Sequence, residues 1–188
     1  MTNLQYAIAE SEEATQRNEA VILGQLKTSL GVFGAALTPA GVGCLTFPAE
    51  PFARCEAWAR RWAPQAALRQ EPSALRALAD QLNSYLDGDL RTFSIPVDLR
   101  GTPFQVAVWQ ALQQIGYGEV RSYAAIATVI GRPTAVRAVG AANRVNSVPI
   151  IVPCHRVIGS NGTLTGYGGG MEMKAWLLRR EGNHRVSW

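Results

Sequence analysis

Three residues of this chain, Cys154, His155 and Glu181, could together carry out nucleophilic chemistry. A thiol attacks well only as its thiolate. A nearby base can generate the thiolate, and a carboxylate can orient and support that base. Cys154 and His155 follow Pro153 and the apolar run Val148–Val152, which reads as a short buried strand, so the thiol is expected at a strand end. Adjacent strand residues point to opposite faces, so neighbouring positions alone do not pair the two side chains. A lone cysteine is also more often a small core residue than a nucleophile. Glu181 shifts the balance. It falls at the expected C-terminus of the last helix, where a negative charge opposes the macrodipole at a cost of roughly 0.3–1 kcal/mol. It therefore needs a partner, and of the two histidines in the chain His155 is the better candidate.

The elements that must hold these groups can be read from periodicity and turn chemistry. Residues 21–47 read as β structure with a turn at Pro39-Ala40-Gly41. Helices are expected over Phe52–Trp62 and Ser73–Leu86, the second capped by Ser73 and stopped by Gly88. Residues 89–101 read as an extended linker. A helix over Pro103–Gln114 shows Phe104, Val108, Ala111 and Leu112 at helical spacing. Ser122–Ile130 and Pro133–Arg144, joined through Gly131, have the helix-turn-helix pattern. A glycine-rich loop over 159–170 and a helix over Met171–Glu181, ended by Gly182, complete the chain.

One of these helices has an unusual face. Thr134, Arg137, Gly140, Ala141 and Arg144 share one side of the second helix of the pair, and Val136, Val139 and Asn143 share another. Small residues flanked by arginines suit a helix ~10 Å across that must approach a minor groove ~6 Å wide. They equally suit a solvated helix packed tightly on a neighbour. Charge points the same way without deciding it. The net charge is +4, but residues 1–100 hold 9 Lys/Arg against 11 Asp/Glu, while residues 101–188 hold 9 against 3. A basic C-terminal half suggests a polyanionic partner, nucleic acid first, or simply a positive surface.

Composition removes other classes. The chain of 188 residues is 47% hydrophobic and 17% charged, as expected for a soluble globular protein with a sizeable core. No apolar run approaches the ~20 residues that cross a bilayer. The N-terminal stretch, with Glu10, Glu12 and Glu13, does not read as a signal peptide but as a polar extension. Three cysteines, Cys44, Cys55 and Cys154, supply neither a disulfide framework nor a four-cysteine zinc site. Free thiols in a reducing cytoplasm, with no metal and no cofactor, are the expectation.

The motifs then become specific. Pro153-Cys154-His155-Arg156-Val157 resembles the active-site signature of the O6-alkylguanine-DNA alkyltransferases. Gly101-Thr102-Pro103-Phe104-Gln105, Val108 to Leu112, Ser122-Tyr123, Arg137 to Asn143, Val157-Ile158-Gly159, Gly166 to Gly170 and the Leu177-Leu178 to Glu181-Gly182 stretch fit the same family. The similarity runs over residues 100–182 nearly without gaps. Residues 21–99 fit the family's variable N-terminal domain by pattern, helped by Ser29-Leu30-Gly31 and Tyr85 to Gly88.

The resemblance implies an α+β fold. An N-terminal α/β domain with a small antiparallel sheet (21–88) would follow the extension (1–20). A linker (89–101) would lead to a helical domain (102–188) carrying a helix-turn-helix and an active-site strand and loop. It implies repair of O6-alkylguanine in duplex DNA by one irreversible transfer to Cys154, with O4-alkylthymine left open. His155 would act as base through a water and Glu181 would orient it. Asn146 would be the hinge, and Tyr123 would help rotate the nucleotide and protonate the guanine. Arg137 would fill the vacated stack, with Thr134, Ala138, Ala141 and Arg144 beside it on the DNA. Val157 through its carbonyl, Ser160 and Tyr167 would line the base pocket. A monomer is implied, with cooperativity along DNA left open. Two departures stand out: Gly116 and Ser147 occupy positions where the family has proline, which loosens the backbone by ~0.4–1 kcal/mol each. Three rivals remain: a non-catalytic alkyltransferase-like lesion binder, which would lack the acceptor cysteine, a cysteine hydrolase, and a helix-turn-helix regulator.

Overall fold

The computed structural model describes residues 20–183, so the N-terminal extension read over 1–20 lies almost wholly outside the described residues. The fold is α+β. Strands β1 (Ala20–Thr28), β2 (Gly31–Thr38) and β3 (Gly41–Thr46) form an antiparallel meander in the register Gly24 opposite Ala35 and Ala36 opposite Cys44. A short strand β4 (Ala67–Arg69), absent from the sequence expectation, pairs parallel with β1, so the sheet is mixed and ordered β3-β2-β1-β4.

Both faces of the sheet are covered, which is why β3 is buried along its whole length. Helix α1 (Ala53–Trp62) packs Cys55, Trp58 and Ala59 against Val21, Leu23, Ala36 and Cys44. Helix α2 (Arg76–Asp87) brings Leu78, Leu82, Tyr85 and Leu86 to the other face, against Leu26, Phe33, Val42 and Leu45. Each fully buried leucine of this kind contributes about 1.5–3 kcal/mol. The start of α2 corrects the sequence reading. Ser73 caps nothing; it lies inside a 3-10 turn, Pro72–Leu75, that leads into the helix. Pro72 sets that turn, because its fixed φ and missing N–H suit a first helical position one residue ahead of the expected cap.

Residues 89–101 are extended but not loose. Val42 bridges Val97 in parallel along the β3 edge, with Val42 N donating to Pro96 O and Asp98 N to Val42 O. Helix α3 (Pro103–Gln113) starts with a full capping box between Thr102 and Gln105. A parallel pair of two-residue strands, β5 (Arg121–Ser122) and β6 (Val157–Ile158), joins the helical pair to the segment after Cys154. Helix α4 (Tyr123–Val129) is capped by Ser122, and Gly131 makes the turn at φ 69°. Helix α5 begins at Val136 and ends at Arg144. Pro133 and Thr134 therefore sit in the preceding turn, closed by Ala135 N to Arg132 O, and not in the helix as expected. Helix α6 (Met171–Arg180) ends at Glu181.

The expected strand over Val148–Val152 is a buried turn. Val152 N reaches back to Val148 O, and Ile150 adopts φ 74°, an uncommon conformation for a β-branched residue. Pro149 and Pro153 have no N–H to offer a ladder, and Asn146 occupies the polar groups that remain. One hydrophobic cluster runs from Leu26 of β1 to Leu177 of α6 and contains Cys154, so the sheet half and the helical half share a core. Among the described residues no helix is long and apolar enough to cross a membrane.

Candidate active site

Asn146 organises the backbone around the thiol. Its amide donates to Val152 O at 2.9 Å and its carbonyl accepts from Val148 N at 3.0 Å, closing the buried turn at both ends. Cys154 then opens a 3-10 turn, Cys154–Arg156, with its thiol almost completely buried. Asn143, on the inner face of α5, donates to Cys154 O at 3.3 Å, and Trp109 of α3 donates to Ala142 O at 2.9 Å. The helix is thus tied directly to the backbone of Cys154.

Burial pushes the Cys154 thiol up, and Asn146, Tyr167 and the Lys174 ammonium pull it part of the way back. Lys174 is fully buried and donates to Val157 O at 2.5 Å and Thr165 O at 3.2 Å. Its ammonium stands 6.0 Å from the Tyr123 ring centroid and 5.9 Å from that of Tyr167. Desolvation lowers it to about 8. Tyr123 accepts a hydrogen bond from Thr165, and burial raises its phenol, so it stays protonated and able to donate. The Tyr167 hydroxyl is buried without a full hydrogen bond. Ser160 is exposed in the loop that follows.

The structure brings His155 and Glu181 together at 3.0 Å, Nε2 to Oε1, with both side chains fully buried. Glu181 holds more than the histidine. Arg156 donates to it from Nε at 3.1 and 3.0 Å and from Nη2 at 2.7 Å, Tyr85 donates at 2.6 Å, and Gly118 N donates at 3.2 Å. Gly118 can do so only as glycine: its φ is +74°, and a Cβ there would stand 2.8 Å from Glu181 O. Burial works to raise the Glu181 carboxyl, but the hydrogen bonds and charges of His155 and Arg156 overcome it and hold it at about 2. Desolvation dominates at His155 and lowers it despite Glu181, so the ring is neutral near pH 7. A carboxylate only accepts, so the proton of neutral His155 lies on Nε2. Nδ1 is left as a buried acceptor with no partner among the described residues.

On α5, Arg137, Ala138, Ala141 and Arg144 are exposed together with Thr134 in the turn before it, while Val139, Ala142 and Asn143 are buried. A Cβ at Gly140 would meet the Tyr123 ring at ordinary van der Waals distance.

The helical half that carries these groups has known relatives. A family model described as 6-O-methylguanine DNA methyltransferase, DNA binding domain, matches residues 103–183. Over 132 residues the chain is 49% identical to the inducible methylated-DNA–protein-cysteine methyltransferase of Bacillus subtilis (strain 168), covering 70% of this chain and 74% of that protein. This chain belongs to the methylated-DNA–protein-cysteine methyltransferase family. Its fold is similar to that of the Mycobacterium tuberculosis O6-methylguanine methyltransferase, with a TM-score of 0.73 and 40% identity over 89% of this chain and 95% of that one. The Mycobacterium tuberculosis OGT solved in complex with DNA gives a TM-score of 0.72 and 41% identity over 90% and 94%.

Within this methyltransferase chain, four residues of the site are not legible as such in the sequence: Tyr85, Asn143, Arg156 and Lys174. Lys174 carries a signal, because it shares the apolar face of α6 with Met171, Leu177 and Leu178, where a charge is out of place. Arg156 lies inside the motif around Cys154, but nothing in that motif says what it touches. Tyr85 reads as one more member of an apolar stripe.

Proposed function

We propose that this methyltransferase repairs O6-alkylguanine in duplex DNA by moving the alkyl group onto Cys154 in a single irreversible step. The observation that carries this reading is a buried thiol within electrostatic reach of Tyr123, Tyr167 and the Lys174 ammonium, followed in the chain by a histidine whose Nδ1 has no partner among the described residues. Asn143, on the inner side of a helix whose exposed face is small and flanked by arginine, holds the Cys154 carbonyl. The target oxygen lies inside the base stack, so the nucleotide must rotate ~180° into the pocket at a cost of a few kcal/mol. Arg137 would fill the gap it leaves, while Thr134, Ala138, Ala141 and Arg144 lie against the backbone. Ser160, Tyr167 and the second lone pair of Val157 O would hold the base.

His155 Nδ1 takes the thiol proton through a water, and the Lys174 ammonium stabilises the thiolate. Sulfur then attacks the alkyl carbon: the S–C bond forms as the C–O6 bond breaks, and the electron pair leaves with guanine. Tyr123 protonates that guanine, and the imidazolium proton restores the tyrosine. The thioether has no good leaving group, so each molecule acts once. The N-terminal sheet half, the 89–101 segment and the helical half would work as one unit, since they share a core. The presence of Cys154 speaks against a non-catalytic lesion binder.

Intact mass after one incubation with O6-methylguanine duplex should show one added methyl group, mapped to Cys154. Cys154→Ala should lose the transfer while keeping DNA affinity within a fewfold. A methyl on Cys44 or Cys55, or turnover beyond one equivalent, would overturn the assignment.

A further inference from the structure

We infer that Tyr85, on α2 of the N-terminal half, is a positioning residue of the thiol-activating relay. It fixes the tautomer of His155 and tempers the pull of Glu181 on that ring. The inference rests on the reading of Cys154 and His155 given above. Tyr85 lies 70 residues before His155 and 96 before Glu181, outside the residues that the family model matches. Its side chain is fully buried, and its hydroxyl donates to Glu181 Oε1 at 2.6 Å, the shortest contact that the carboxylate makes. The Tyr85 hydroxyl oxygen also stands 3.4 Å from His155 Nε2.

A single arrangement of protons satisfies these contacts. Burial and the Glu181 charge push the Tyr85 phenol up, so it remains a donor throughout the working range. With its proton committed to Glu181, the hydroxyl offers only lone pairs toward Nε2. Both neighbours of Nε2, Glu181 Oε1 and Tyr85 Oη, therefore require the imidazole proton there. The opposite tautomer would set a nitrogen lone pair against two acceptors in a water-poor interior and would place a proton on the nitrogen that must receive one. Tyr85 also shares the charge of Oε1 with Arg156. A carboxylate whose charge is already engaged by donors supports imidazolium less strongly, so His155 stays neutral, and usable as a base, to lower pH.

The ring itself is held apart from the hydroxyl. Tyr85 packs against Phe93 at 5.2 Å and Tyr117 at 6.2 Å, contacts that phenylalanine would keep. Tyr85→Phe therefore removes the donor and spares the packing. The experiment measures alkylation of Cys154 by iodoacetamide, which needs neither DNA nor a lesion, as a function of pH and mapped by mass. In Tyr85→Phe the acid limb should move to higher pH by about half a unit, so that the rate at the acid end falls about threefold relative to the plateau. A wild-type profile in a variant that is merely less stable would reduce Tyr85 to a structural role and overturn the inference. Nitrogen-15 spectra of the imidazole in the wild-type protein supply a second reading that needs no variant. They should show His155 protonated at Nε2, and a proton at Nδ1 would overturn the inference equally. If methylated DNA fails to label Cys154 while the iodoacetamide profile still shifts, the repair function is wrong and the Tyr85 role stands.

Discussion

A single buried ammonium does two jobs in this pocket. Lys174 satisfies the carbonyls of Val157 and Thr165 and places positive charge near the Cys154 sulfur. Removing it should therefore separate into two measurable effects. Lys174→Met leaves two carbonyls without that donor, at about 1–3 kcal/mol of stability, visible as a lower urea midpoint. It also leaves the thiolate with less support, so Cys154 should react with a small alkylating agent only at higher pH than in the parent. A variant with lowered stability but an unmoved thiol profile would confine Lys174 to holding the loop. Arg156 shows the same economy: its Nη1 donates to Ile115 O at 2.6 Å while the rest of the guanidinium grips Glu181.

At the scale of elements, α5 has a face that can be tested apart from its fold. Arg137 is exposed and holds none of the core, so Arg137→Ala should leave stability within about 0.5 kcal/mol. If it fills the stack, repair of a lesion in duplex DNA should fall steeply while reaction with a free O6-alkylguanine base stays near that of the parent. A plain phosphate contact would instead weaken duplex binding and reduce its salt slope by about one unit. Equal losses on both substrates would assign Arg137 to pocket structure. The segment after α5 offers a second test. Ser147 is buried, its hydroxyl has no partner, and its amide donates to nothing among the described residues. Ser147→Pro should then raise stability by about 0.4–1 kcal/mol through the unfolded chain, read as a higher midpoint at unchanged m-value. A drop instead would mean that the turn held by Asn146 does not accept the proline φ.

Across the whole molecule, the buried Glu181 network links the two halves and sets the response to acid. Glu181 is held at about 2, below its unfolded value near 4.3. Its contribution is present above that unfolded value and disappears as pH falls toward 2, because the unfolded chain then binds the extra proton. His155 acts in the same sense higher up, since its folded value is lowered and the unfolded ring takes its proton first near 6.5. Stability should therefore decline in two stages on acidification, the lower one belonging to Glu181. Glu181→Gln should cost about 3–5 kcal/mol at neutral pH, because it strands the Arg156 charge, and should flatten the lower stage. Urea unfolding at a series of pH values checks both. A Glu181→Gln curve parallel to the parent between pH 4.5 and 2 would place the acid response elsewhere.

Local chemistry is enough to fix several features. The 3.6-residue period of α5 separates Arg137, Ala141 and Arg144 from Val139 and Asn143 on spacing alone, because a helix face depends on nothing else. Gly88 as a stop follows equally from backbone groups a few residues away, whereas Ser122, read as the first residue of its helix, proves to be its cap. The family motif around Cys154 and the misplaced charge of Glu181 point to the reactive groups. The run Val148–Val152 reads as a strand and folds as a turn, because apolar content says that a segment is buried, not how its backbone closes. The two prolines and the Asn146 side chain close it. Only the tertiary structure could place Tyr85, Arg156 and Lys174. What matters about each is a contact 17 to 96 residues distant in the chain. In the sequence Tyr85 is one apolar position on an amphipathic helix, and its hydroxyl acquires a role only when packing the sheet half against the helical half buries it beside a carboxylate.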